Sequence, residues 1–300
     1  MKVYMVIPKI EVQGANAMSC PYIVGFPAMT AWLGACHAMQ RKMKIADEAL
    51  KDFCVHGVAA SCHSFNLKKF KDHFDTYNYL AGVRKPLVKN NKNNTWGQPA
   101  FIEEARADVT VSLLLEITGV DAETKEKAEN AAESILAQMK LAGGDIMRYK
   151  KPEIYFMAGD AEMKKKIRHK ILGRLMPGYV LIDRTDLLKD IHDEAGGDML
   201  DALLKAISVH YKKERDEETF SPSKMRSGWL VPTAAGYRAI SDVCSLDNQR
   251  DTAYPHKFVE SIMTLGEFIL PTKVNRIDDL LWHYEHDLKN YKCVNHKMEA

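Results

Sequence analysis

Between Ser64 and Gly97 the chain interleaves the cations Lys68, Lys69, Lys71, Arg84, Lys85, Lys89 and Lys92 with the rings of Phe65, Phe70, Phe74, Tyr77, Tyr79 and Trp96, against Asp72 and Asp75. Ammonium and guanidinium groups meet phosphates, and aromatic faces stack on unpaired bases, so this mixture suits single-stranded nucleic acid. A solvated basic hairpin anchored by a few rings is the plain alternative. A second cluster, KKKIRHKILGR, places Lys164, Lys165, Lys166, Arg168, Lys170 and Arg174 on an expected helix with Ile167, Ile171, Leu172 and Leu175 turned inward. Such a face could follow a phosphate backbone, although solvation is its ordinary use. The run Leu141-Ala142-Gly143-Gly144 lacks the Lys-Ser or Lys-Thr of a phosphate-binding loop and follows a helix instead of preceding one. Its two glycines either admit an RNA backbone closely or cap the helix.

Enzymatic readings have weaker support. His37 is the main candidate for general acid–base cleavage of RNA, in concert with a tyrosine and a lysine. Its apolar surroundings favour a packed histidine, or one that touches RNA without reacting. Cys54, His56, Cys62 and His63 match no common zinc spacing, and strand parity sets His63 opposite the other three. His283 and His286 are three apart, where a zinc protease needs four and an adjacent glutamate. No nucleophile elbow or nucleotide-hydrolysis motif is present. The residues therefore predict neither a catalytic set nor a metal or other cofactor.

These groups need a scaffold. KVYMVIPKIEVQ reads as a strand with Tyr4, Val6, Ile10 and Val12 on one face, and Ala28 to Lys42 as a buried helix. A second strand fits Phe53 to Ser61, and RADVTVSLLLEITG alternates cleanly from Ala107 to Ile117. Thr124 to Lys140 has helical spacing, followed by the glycine loop and a strand at KPEIYFMAG. The succession β-α-β-β-α-β predicts an α+β, ferredoxin-like palm over residues 1–160, with a basic thumb insertion at 64–104. Residues 161–300 read as a more helical region packed on that palm. Its expected helices are Ala161–Leu175, Met199–Lys213, Phe258–Leu270 and Ile277–Tyr291, with one strand near 228–238. The charged stretch KKERDEETFSPSKMRSG reads as a surface loop.

The bulk numbers fit this without announcing it. A net charge of +2 over 300 residues is too mild to mark a nucleic-acid binder, so the case rests on how charge is distributed. Six cysteines without CxxC spacing, no apparent leader and no uninterrupted apolar span predict a cytoplasmic protein without a membrane segment.

Several long strings occur in order: VIPKIEVQGANAMSCPYIVGFPAMTAWLGACHAMQRK, FIEEARADVTVSLLLE, MKLAGGDI, GWLVPTAAGYRAIS and FVESIMTLGEFILP. They resemble the Csy-type Cas-five subunit family of the type I-F CRISPR surveillance complex, Cascade. The resemblance implies a repeat-associated RNA-binding protein, non-catalytic, that caps the 5′ handle of the CRISPR RNA in defence against foreign elements. It implies pairing with a Cas-eight-type large subunit, contact with a Cas-seven-type backbone subunit, and target DNA met indirectly through the guide. Carried onto this sequence, the RNA-binding surface would use Asn16, Ser19, Phe26, His37, Arg41, Arg106, Gly143, Gly144 and Arg148, with Arg84, Lys85, Asn94 and Trp96 on the thumb. The enzymatic alternative is a metal-independent endoribonuclease that processes the guide. A third reading is a protein adaptor whose basic loop meets acidic partners.

Overall fold

The computed structural model describes residues 1–71, 79–80, 88–90, 94–97, 104–213, 220–249 and 251–295. β1 (Val3–Asn16) leads through the short hairpin β2 (Met18–Cys20) and β3 (Ile23–Val24) into α1 (Met29–Ala46) and β4 (Cys54–Leu67). Two small hairpins follow, β5 (Lys69–Phe70) with β6 (Tyr79–Leu80), and β7 (Val88–Asn90) with β8 (Thr95–Gly97). Then come β9 (Arg106–Thr118), α2 (Lys125–Leu136), the tight hairpin β10 (Lys140–Leu141) and β11 (Gly144–Arg148), and β12 (Glu153–Phe156).

The remainder is α3 (Ala161–Leu175), β13 (Tyr179–Asp183), α4 (Thr185–Ala195), α5 (Met199–Ile207), the pair β14 (Val209–Lys213) and β15 (Phe220–Lys224), β16 (Leu230–Ala239), β17 (Val259–Ile269), β18 (His283–His286) and β19 (Asn290–Val294). The chain is therefore α+β. Among the described residues, no helix is long and apolar enough to cross a membrane.

One eleven-stranded sheet runs through both halves in the order β10-β11-β1-β9-β4-β13-β17-β16-β19-β18, with β12 also on β1. Within it, the first half sets β11 and β12, β1, β9 and β4 side by side, every neighbour antiparallel. The clean alternation of β9 sends Val109, Val111, Leu113, Leu115 and Ile117 to one face, where Trp32, Cys36, Met39 and Met43 of α1 and Ala128, Ala132 and Ile135 of α2 close the main core. The opposite face carries Tyr4, Val6, Ala59 and Leu114 under Ile171, Leu172 and Leu175 of α3. A third cluster joins α4 and α5 to Leu230 and Leu265.

Caps explain the helix starts. Asp160 accepts the Met163 amide at 2.8 Å ahead of α3, and Asp198 and Asp201 form a reciprocal capping box ahead of α5.

Several expectations need correction. Tyr4 and Val6 do not share a face with Ile10 and Val12: Lys9 takes φ 53° and the register slips between Ile7 and Ile10, so a bulge inverts the parity midway along β1. β4 does not stop at Ser61 but stays paired with β9 to Leu67, so the first residues assigned to the thumb belong to the sheet.

The C-terminal half is not mainly helical. Phe258–Leu270 contains the strand β17, and Ile277–Tyr291 contains a short 3-10 turn, β18 and the start of β19. The helix expected to reach Lys213 ends at Ile207, where Ser208 turns extended and the β-branched Val209 begins a strand. β13 and α4 add elements that the sequence reading did not contain.

Candidate nucleic-acid interface

The glycine loop is a two-residue hairpin turn. Ala142 and Gly143 both have positive φ, 49° and 76°, the twist that matches tightly joined antiparallel strands. The turn docks on the end of β1, where the Asn16 amide donates 2.8 Å to the Ala142 carbonyl. Asn16 pairs with Arg106 across β1 and β9, and Arg106 Nη1 donates 3.3 Å to the Gly14 carbonyl, close above Gly143. Together they line a cavity of about 830 Å³ with Met18, Lys140 and the small Ala31 and Ala35 of α1. Its cations are compensated: Arg106 is paired with Glu104, and Lys140 lies 2.5 Å from Asp145.

A second, polar cavity of about 470 Å³ lies on the sheet face that α3 leaves open. Glu11, Gln13, Ser64, Asn66, Asp108, Thr110 and Arg148 line it. At its rim β4 runs into the thumb. Lys68 bridges to Asp108 at 3.1 Å, whereas the exposed Lys69 and Lys71 make no ion pair with the described residues. In the thumb, Asn94 (φ 52°) forms the turn that places the exposed Trp96 opposite Lys89. Arg84 and Lys85 lie outside the described residues.

The family model described as "CRISPR-associated protein (Cas_Csy2)" matches residues 5–293. A Pseudomonas aeruginosa protein named "CRISPR-associated protein Csy2" is 32% identical over 310 residues, covering 93% of this chain and 90% of the relative. This chain belongs to the Csy2 family. The resemblance carried by the sequence strings is thus shown, and membership makes the chain a type I-F Cascade subunit of CRISPR defence.

Within this Csy2 chain the remaining candidates are dispersed. Gly144 is buried, and an added Cβ would come within 2.7 Å of the Ala15 amide nitrogen and the Gln13 carbonyl, so its glycine serves the packing of β11 on β1 and not the approach of a ligand. The Ser19 hydroxyl, closed off from solvent, has no hydrogen-bond partner among the described residues, which leaves a donor unspent beside the cavity-lining Met18 and Cys20. Phe26 lies elsewhere, stacked on Trp32 at 5.1 Å and edge-on to Phe268 at 5.5 Å.

His37 packs on Tyr284 at 5.2 Å, and burial with the nearby Arg41 lowers its pKa. Tyr284 is itself pushed up, by burial first and then by its hydrogen bond to Tyr291. A tyrosine held that firmly protonated is poorly suited to proton transfer near neutrality. Arg41 is exposed one helical turn away. Asn16, Arg106 and Gly143 are thus brought together, and His37 and Arg41 are not among the residues of their cavity.

Sequence reasoning missed Lys140, Glu104 and a polar relay beneath the sheet. His63 sets Nε2 2.7 Å from Ser112 Oγ and Nδ1 2.8 Å from Lys9 Nζ, with the Pro177 carbonyl against the same nitrogen. Burial, with the Lys9 charge adding to it, lowers the His63 pKa. Ser112 is wholly buried and donates to the Arg174 carbonyl at 3.2 Å, so this trio ties α3 to the sheet and exposes no nucleophile. Among the described residues, no three His, Cys, Asp or Glu side chains gather as metal ligands do.

Proposed function

We propose that this subunit is a non-catalytic RNA holder that caps the 5′ handle of the CRISPR RNA, pairs with the Cas-eight-type large subunit and abuts a Cas-seven-type backbone subunit. The observation that carries the reading is the strand arrangement of residues 1–160. Its four positions run fourth, first, third, second, all antiparallel, with a glycine turn at the end of the first strand and a cation-bearing insertion between the second and third. We read this unit as a ferredoxin-like palm and the insertion as its thumb.

Because α3 covers much of the palm face away from α1 and α2, ordinary stacking on central strands is unavailable there. RNA would be held at the glycine turn, along the open polar strip of Arg148, and by the thumb. Target DNA is then met through guide pairing.

The endoribonuclease reading needs His37 to work beside a lysine and a tyrosine able to give up a proton, and His37 instead packs on a strongly protonated Tyr284. The deciding experiment is co-purification with the neighbouring subunits and sequencing of the retained RNA, which is expected to be unit-length guide. The purified chain should leave repeat RNA intact without metal. Cleavage abolished by His37→Ala would sink the non-catalytic reading.

A further inference from the structure

Apart from the glycine-turn cavity, a cleft of about 370 Å³ is walled by rings from five separate segments: Phe26, Phe65, Tyr179, Trp229 and Phe268. Sheet register assembles them. Tyr179 pairs with Cys62 across β13 and β4, three residues from Phe65, and Leu181 pairs with Phe268 across β13 and β17. The Phe268 amide donates 3.0 Å to the Trp229 carbonyl. Trp229 then meets Phe268 at 5.0 Å and Tyr179 at 5.2 Å, centroid to centroid. Phe26 and Phe268 are half-buried, whereas Phe65, Tyr179 and Trp229 remain 38%, 42% and 53% exposed. Three large rings around one cavity, two of them held by ring contacts and all left open to water, form a stacking surface without a stack.

Two features select the occupant. Ser64 gives one wall a hydroxyl, which a purely apolar side chain would leave idle, whereas the ring nitrogens of His63 are already engaged by Ser112 and Lys9. The chain that supplies Phe65 runs on from β4 into β5, where Lys69 and, just beyond it, Lys71 are exposed and without an ion pair among the described residues, at most about 13 and 20 Å further at about 3.3 Å per residue. A ring platform followed along the chain by exposed cations is what a nucleotide chain needs, the base on one and the phosphates on the other.

We propose that this aromatic cleft holds one unpaired base of the bound RNA, with neighbouring phosphates running along Lys69 and Lys71. The inference rests on the RNA-holding function proposed above.

The test uses the complex assembled with its neighbouring subunits and the RNA that co-purifies with it, resynthesised with one abasic position at a time. Trp229→Ala and Phe65→Ala should each weaken RNA retention about ten- to hundredfold, and Trp229→Phe should restore most of it. One abasic position should weaken wild type similarly, yet cost nothing further in Trp229→Ala. If these variants assemble and hold intact RNA as tightly as wild type while Lys69→Glu with Lys71→Glu weakens it, the cleft assignment falls and the RNA-holding function stands. Loss of a neighbouring subunit from Trp229→Ala, with unchanged RNA affinity in the remainder, would show a protein side chain in the cleft and overturn the proposal. If the wild-type complex carries no RNA, both readings fall together.

Discussion

The cavity at the glycine turn and the outer end of β4 both carry cations, yet they are built differently. At the turn, Arg106 and Lys140 each have a carboxylate partner, and backbone bonds fix the shape: two positive φ angles and the Asn16 to Ala142 hydrogen bond. At the end of β4, Lys69 and Lys71 are unpaired among the described residues and the nearby rings of Phe65 and Phe70 are exposed. Compensated charges cast little field, whereas free ones release counterions when phosphate arrives. On the proposed function, the first region would set position and the second supply attraction. Each can be broken separately.

Gly144→Ala should show the largest effect, and on folding. Its Cβ would press into the β1 backbone at 2.7 Å, so the two strands must part or shift, at a cost of about 1–3 kcal/mol. A clearly lowered thermal midpoint is expected, and an unchanged one would mean the turn is softer than its geometry implies. Next is Lys69→Gln with Lys71→Gln. With about 0.7 of slope per neutralised contact on a single strand, the pair should reduce the slope of log K against log salt by about 1.4 and leave stability unaltered. An unchanged slope would remove the end of β4 from the interface.

How much of this was legible in the sequence depended on burial. β9 was readable because its strict alternation keeps one apolar face, and α1 because its apolar residues surround most of the helix. β17 was misread for a physical reason. It lies between β13 and β16 with apolar residues on both sides, so Ile262, Met263, Leu265 and Ile269 lose the period of two and imitate helical spacing. The Lys9 bulge was equally hidden, because a non-glycine residue at positive φ gives no local signal.

The site divides in the same way. Asn16, Arg106 and Gly143 could be anticipated from resemblance, and the structure does gather them. The rings of Phe26, Phe65, Tyr179, Trp229 and Phe268 could not, because only the pairing of β4, β13, β17 and β16 makes neighbours of residues so far apart in sequence. The one local trace was an exposed-type tryptophan after glycine in GWLVP, which reads equally as a strand start.

Glu104→Gln probes the compensated region more gently. If Arg106 contacts phosphate, it must first leave Glu104, and half-exposed pairs of this kind are worth about 0.2–1 kcal/mol. Removing the competing carboxylate should therefore tighten RNA retention by up to about fivefold, and Arg106→Gln should reverse the gain. If Glu104→Gln changes nothing while Arg106→Gln still unfolds or loosens the protein, Arg106 only braces the Gly14 carbonyl.

The smallest effect expected is a pH dependence that tells the two regions apart. The folded pKa of His63 lies below the ordinary 6.5 because burial and Lys9 both disfavour its charged form. The unfolded chain therefore takes up the proton first as pH falls. The contribution of His63 to stability is complete above about 6.5 and is lost as pH drops through the folded value. His37 adds in the same direction, so the difference between wild type and His63→Gln isolates the one group. Midpoints measured from about pH 7.5 to 5 should fall more steeply in wild type. Over the same window, protonated His63 adds a cation to the β4 end, so RNA retention should strengthen slightly while folding weakens. The glycine-turn cavity has no histidine in its lining and should contribute neither trend. If the midpoints diverge as expected while the pH profiles of RNA retention stay parallel in wild type and His63→Gln, His63 lies outside the RNA's field and its relay is purely structural.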